Sequence, residues 1–125
     1  MYFFEVYVAS KYATSLYIYS SFLQIEDNCV VQIEFRKSVC LGICIRSVNK
    51  PEIKNIKEIQ KIFSYKISNE VLEFCKQTAN YNLTTIGSIL EMMLPNILIE
   101  YANKNQSPLP LILEENGKML KLDDF

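Results

Sequence analysis

Between residues 2 and 48 the hydrophobic positions fall into four short runs: YFFEVYVA (2–9), SLYIYSSFL (15–23), CVVQIEF (29–35) and VCLGICIRSV (39–48). They are rich in β-branched and aromatic side chains and are separated by brief polar stretches, which predicts strands. In the third run Val31, Ile33 and Phe35 alternate with Gln32, Glu34 and Arg36, the period of a half-buried strand. RKS (36–38) is a tight link to the fourth run, so these two runs are expected to form a hairpin. Gly42 inside the fourth run marks a bulge or a close backbone approach. Short antiparallel strands of this kind close into a small barrel or a curved sheet.

After NKPE (49–52) the period changes. In IKNIKEIQKIF (53–63) Ile53, Ile56, Ile59 and Ile62 recur every third residue, as on a helix, while their branching favours a strand. The second part is read as a strand. Ser68 and Asn69 form the N-cap region of a helix to about Asn80, with Val71, Leu72, Cys75 and Ala79 on its buried face. Thr84 or Thr85 caps the next helix, where Ile86, Ile89, Leu90, Met93 and Leu94 keep helical spacing. Pro95 is predicted to end it, because the residue before proline is pushed out of the α region. Gly87 lies in its first turn and costs about 1 kcal/mol against alanine in a helix interior. A close contact with the preceding helix or the sheet would explain it. LILEENGKMLKL (111–122) reads as a hairpin around Asn116–Gly117, or as the start of a truncated segment.

The 125 residues suffice for one domain with a real core. Apolar runs are too short and charges too frequent for a membrane span of about 20 residues. The start, MYFFEVYVAS, has neither the basic region nor the cleavage site of a signal peptide, so a cytoplasmic chain is expected. Cys29, Cys40, Cys44 and Cys75 come without a histidine, and the Cys40–Cys44 pair has no second pair to complete a zinc site. They are read as reduced, buried thiols. Without histidine, Ser-His and Cys-His catalysis are excluded on this chain.

Charge is uneven although the net is −1. Residues 32–66 carry eight basic and three acidic side chains, a net of +5, whereas the last dozen residues are acidic. A solvated basic face is the plain explanation. Basic residues beside tyrosines also suit a single-stranded nucleic acid, with cations on phosphates and rings stacked on bases.

Two motifs at a fixed separation carry a family resemblance. Val31, Ile33, Phe35, Gly42 and Cys44 fit a pattern V-x-V-P-F-G/R-x-x-x-x-x-G-x-V, with Glu34 in place of proline. Ala79, Tyr81, Gly87, Leu90, Leu94 and Pro95 fit A-x-Y-Y-x-x-x-x-G-x-x-L-x-x-x-L-P, with Asn82 in place of the second tyrosine. Over about residues 2–98 the chain resembles the N-terminal domain of primosomal protein N′ (PriA), the bacterial replication-restart helicase.

The resemblance implies an α+β fold: a small antiparallel OB-like β-barrel or curved sheet (about 1–66), then a helical α/β part (about 67–98). Residues 1–100 would be the 3′ DNA-binding domain and 101–125 a linker or the start of a further segment. The implied function is recognition of stalled forks and of the 3′ end of the nascent leading strand. The implied partner is single-stranded or forked DNA, with other primosome or single-strand-binding proteins reached through a full-length protein. A monomer is expected, with no membrane partner.

The implied site consists of Tyr17 as the aromatic, Arg36–Lys37–Ser38 as the turn, and Lys54 as the linker lysine, with Lys57 as its rival. The family's aspartate position falls on Ile18. A carboxylate can accept a hydrogen bond from a 3′ hydroxyl and isoleucine cannot, so discrimination against a 3′ phosphate is expected to be small. Phosphate contacts from Arg36, Lys37 and Lys54 need no carboxylate. No G-x-x-x-x-G-K-[ST] loop, acidic metal box or cysteine-rich zinc segment is present, so no ATPase is expected on this chain. No cofactor is expected either, ATP and zinc belonging to other domains of the family. The alternative is an interaction module that kept the fold and lost 3′-end recognition.

Overall fold

The structure, a computed structural model, describes the main chain of residues 1–104 and 111–113 and the side chains of residues 1–99. Five strands lead: β1 (Tyr2–Val8), β2 (Leu16–Ser21), β3 (Cys29–Phe35), β4 (Ser38–Val48) and β5 (Lys61–Lys66). Helices α1 (Asn69–Tyr81) and α2 (Ile86–Lys104) follow, and β6 (Leu111–Leu113) adds a three-residue edge. The sheet runs β2-β1-β4-β3-β5-β6, and every paired neighbour is antiparallel.

The sheet curls without closing. Tyr17 and Tyr19 stand on β2, three places from β3 in the strand order. Nevertheless the Tyr17 ring meets Phe35 edge-on at 5.0 Å, and the Tyr19 hydroxyl donates to the Glu34 carbonyl at 2.8 Å. The segment before β5 spans the remaining gap as a strap. Ser20 N–H donates to the Lys57 carbonyl (2.9 Å), Ile59 N–H to the Ser20 carbonyl (2.8 Å) and Gln60 N–H to the Gln32 carbonyl (2.9 Å). The strap thus meets β2 in one parallel bridge at Glu58 and then enters β5 beside β3. The expected strand in the second half of 53–63 is therefore β5, displaced toward residue 66.

Two apolar cores lie on the two faces. Phe4, Val6, Val31, Ile33, Cys44 and Ile62 fill the inside of the curl. Val30, Ile43 and Phe63 face the helices and meet Leu72, Leu90 and Leu98. Because both faces are covered, β3 is not half-wet as its alternation predicts. Gln32 is 3% exposed, its amide donating to the Gln60 side chain at 2.7 Å.

The β3–β4 hairpin and helix α1 stand where the sequence places them. Arg36 and Lys37 form the two-residue turn, and the Ser68 hydroxyl caps α1 by accepting from Val71 N–H at 3.1 Å. Thr85 performs the same service for α2, accepting from Ser88 N–H at 3.2 Å. Pro95 does not end α2, contrary to the sequence reading. Proline removes one hydrogen bond to the carbonyl four residues back, here that of exposed Glu91, which water can reach. Continuing the helix keeps Leu98 in one row with Leu90 and Leu94, all fully buried, and that burial outweighs the loss. The predicted hairpin at 111–122 lies outside the described residues apart from β6.

Both interior glycines mark close approach. A Cβ on Gly87 would run into the Ser10 carbonyl oxygen and lie 2.9 Å from that of Val8 and 3.1 Å from that of Ala13. The partner is thus the end of β1 and the loop after it, not α1. At Gly42 a Cβ would stand 2.7 Å from Val6 Cγ1. Nearby the β1–β4 register shifts by one residue between Glu5 and Val6, so Ile45 has no opposite number.

Candidate nucleic-acid interface

The curl has a mouth where β2, the β3–β4 turn and the strap converge. A groove of about 340 Å³ opens there, walled by Tyr17, Ile18, Glu34, Phe35, Arg36 and Lys57, among others. Strand pairing fixes β2, the turn fixes Arg36, and the backbone bonds of the strap to Ser20 fix the position of residue 57.

The Tyr17 ring is half-buried with one edge on Phe35. Burial pushes its phenol up, but hydrogen bonds from Thr14 and Ser15 and the charge of Arg36 outweigh this and leave it below the usual value. The Thr14 N–H donates to the hydroxyl at 3.4 Å. Arg36 arches over the ridge of the turn, its guanidinium carbon 5.8 Å from the Phe35 ring centroid and 5.2 Å from that of Tyr12. Beyond it lies a second hollow of about 510 Å³, lined by Tyr12, Arg36, Ser38, Cys40 and Glu91 among others. Arg36 is therefore shared by two depressions, with an exposed tyrosine in one and a half-buried tyrosine in the other.

Arg36 and Lys37 both occupy the left-handed region, with φ of 51° and 65°. A two-residue hairpin turn of this type favours Asn-Gly because both central residues need positive φ. Here two long cations fill it, and both are exposed. Cations held in a conformation that costs each of them about 1 kcal/mol or more are displayed rather than packed.

Of the seven positions singled out in the sequence, the groove brings together Tyr17, Ile18, Arg36 and Lys57. Lys37 is on the same turn but outside the lining, and Ser38 lines the second hollow. Lys54 is exposed and outside the lining, whereas Lys57 is in it. Two contributors escaped sequence reading. Phe35 is the floor on which Tyr17 rests, although its burial was legible. Glu34 reaches the groove and holds Lys57, with Oε2 3.1 Å from Nζ and both side chains a little under half exposed. The one signal for Glu34 is its place in the motif, where the family has proline.

A curled, unclosed antiparallel sheet with two helices behind it is an α+β, OB-like fold. The family model described as the 3′ DNA-binding domain of PriA matches residues 5–95, and the chain belongs to this family. The chain is also 31% identical over 86 residues to the replication restart protein PriA of Rickettsia conorii. That stretch covers 67% of this chain and 13% of the relative, so the chain spans only a small part of the relative's length. Among the described residues no helix is long and apolar enough to cross a membrane.

Proposed function

We propose that this domain binds the 3′ end of a DNA strand at a replication fork, with the terminal nucleotide in the groove beside Tyr17. The carrying observation is the convergence of Tyr17, Arg36 and Lys57 on one groove from three separate parts of the chain. Tyr17 offers a π face already braced by Phe35, so a stacked base orders little further. Arg36 and Lys57 both line the groove and serve the terminal phosphates, with Lys37 on the flank contributing charge without a fixed contact. Recognition of the nascent leading-strand end at a stalled fork, within a longer restart helicase, extends the same reading.

The test is binding of a labelled primer–template fork by fluorescence anisotropy over a salt series. With Arg36, Lys37 and Lys57 each neutralising one phosphate of a single strand, log K should fall against log salt with a slope of about −2. Lys57→Ala should weaken binding more than Lys54→Ala, and Tyr17→Ala should cost about 1–3 kcal/mol of stacking. No salt-sensitive binding at low ionic strength would sink the proposal and leave the interaction module standing.

A further inference from the structure

We infer that the second hollow, on the far side of Arg36, is a subsite for the next nucleotide of the same strand, whose base lies against Tyr12. The inference rests on the DNA-binding reading above and adds to it the path the strand takes once its last nucleotide fills the groove.

The two depressions are continuous, because Phe35 and Arg36 line both. The hollow, at about 510 Å³, is the roomier of the two. Tyr12 stands in it with 54% of its surface exposed. Two cations gather at that ring, with Lys11 Nζ and the Arg36 guanidinium carbon each 5.2 Å from its centroid. An exposed aromatic flanked by cations matches a polyanion that carries flat bases.

Tyr12 is exposed but its loop is braced. The Tyr12 N–H donates to the Ser10 hydroxyl at 3.2 Å, and the Ala13 N–H donates to the Ser10 carbonyl at 3.0 Å. The Ala9 N–H ties the loop to β4 through the Leu41 carbonyl at 2.9 Å. Helix α2 closes on the same loop at Gly87, where a Cβ would run into the Ser10 carbonyl oxygen. The glycine that lets α2 approach thus also fixes the platform. A base packing on a loop already held in place orders little that was free.

The walls sort the parts of a nucleotide. On the α2 side stands Glu91, its Oε2 accepting from the Lys11 N–H at 2.8 Å, and its charge keeps a phosphate away. Val39, Leu41 and Pro95 add apolar surface to the hollow. The phosphate is therefore drawn to Arg36, at the junction of the two depressions, and the base enters the hollow. Arg36 then holds the phosphate that joins the last two nucleotides, and its side chain parts their bases. The strand crosses the β3–β4 turn splayed, with one base on each side of it.

The experiment uses three labelled single strands with the same terminal nucleotide: one intact, one with an abasic site next to the end, and one with an abasic site further in. Each is titrated by fluorescence anisotropy against wild type, Tyr12→Ala and Tyr12→Phe, with thermal unfolding as the check on folding. Wild type should bind the strand lacking the penultimate base roughly 5-fold or more weakly than the intact one. The strand with the inner abasic site should stay within about 2-fold of the intact one. Tyr12→Ala should weaken the intact strand by a similar factor and erase the penalty for the missing penultimate base, whereas Tyr12→Phe should keep both. Equal wild-type binding of the intact and penultimate-abasic strands overturns the subsite while leaving DNA binding intact. So does an equal loss from the inner abasic site, or a penalty that persists undiminished in Tyr12→Ala. Absence of salt-sensitive binding by any of the three strands overturns the DNA-binding reading itself.

Discussion

The start of α2 and the β3–β4 turn both suit glycine, and only the first has it. At the start of α2 the need is for space: Gly87 lies against the carbonyls of Val8, Ser10 and Ala13, and a side chain there would have to move backbone. At the β3–β4 turn the need is conformational, because both residues have positive φ, yet the chain carries Arg36 and Lys37. The packing site obeys its local rule and the groove site breaks it. Non-glycine residues held in the left-handed region cluster where function requires a particular display. The comparison separates what keeps the fold from what the fold presents.

The largest effect should come from Gly87→Ala. The atoms in the way are carbonyl oxygens that cannot rotate aside, so about 3 kcal/mol or more should be lost in chemical denaturation. A loss below 1 kcal/mol would mean that the helix and the β1 loop are not held in register. Gly42→Ala should cost less, about 1–3 kcal/mol, because one of its near neighbours is the Val6 side chain, with the Tyr7 carbonyl at 3.0 Å.

The interior should also answer to pH. Burial, followed by the nearby Cys29 and Asp27, pushes the Cys44 thiol from 9.0 up to about 12. Burial raises the Tyr19 phenol as well. A thiol whose folded value is raised contributes stability that is intact below its unfolded value and lost as pH rises through the folded one. The denaturation midpoint should therefore hold to about pH 9 and fall between pH 9 and 12, by up to about 1.4 kcal/mol per unit for the thiol. Cys44→Ala should flatten the first part of that decline.

The smallest change should have the opposite sign. Lys37→Gly removes a strained conformer and should stabilise the protein by about 0.5–1 kcal/mol, while making the salt slope of DNA binding shallower by roughly 0.7. Arg36→Gly should be nearer neutral in stability, since relief of strain is offset by lost contacts to Tyr12 and Phe35 worth about 0.5–1 kcal/mol. It should weaken binding more than Lys37→Gly. If glycine at either position destabilises the hairpin, the contrast between the two sites fails.

Strand runs and helix caps were legible because each is decided locally, by alternation, branching or a hydroxyl at the right offset. What escaped was decided by distant contacts. Pro95 reads as a stop until Leu98 is seen to belong to the core. Gln32 reads as wet until both faces of β3 are covered. In the site, Tyr17 and Arg36 come from the family resemblance alone, and a strand and a two-residue turn fix their places. Lys54 ranks ahead of Lys57 on the spacing of the isoleucines alone, whereas Lys57 is the one in the groove lining, because the strap takes its position from hydrogen bonds to β2. Glu34 looked like the solvent side of a strand, and only the curl turned that side into a wall.

The strap has another consequence, for solubility. β2 is the outer strand of the sheet, and Phe22 and Leu23 just beyond it are exposed. An open edge of this kind is a template for pairing with a second chain. The two backbone bonds between Ser20 and the strap occupy part of that edge and allow no regular ladder beside it. The segment that presents Lys57 is also a guard against self-association, so shortening it to abolish binding would yield a protein that aggregates. Side-chain replacement is the safer way to silence the groove.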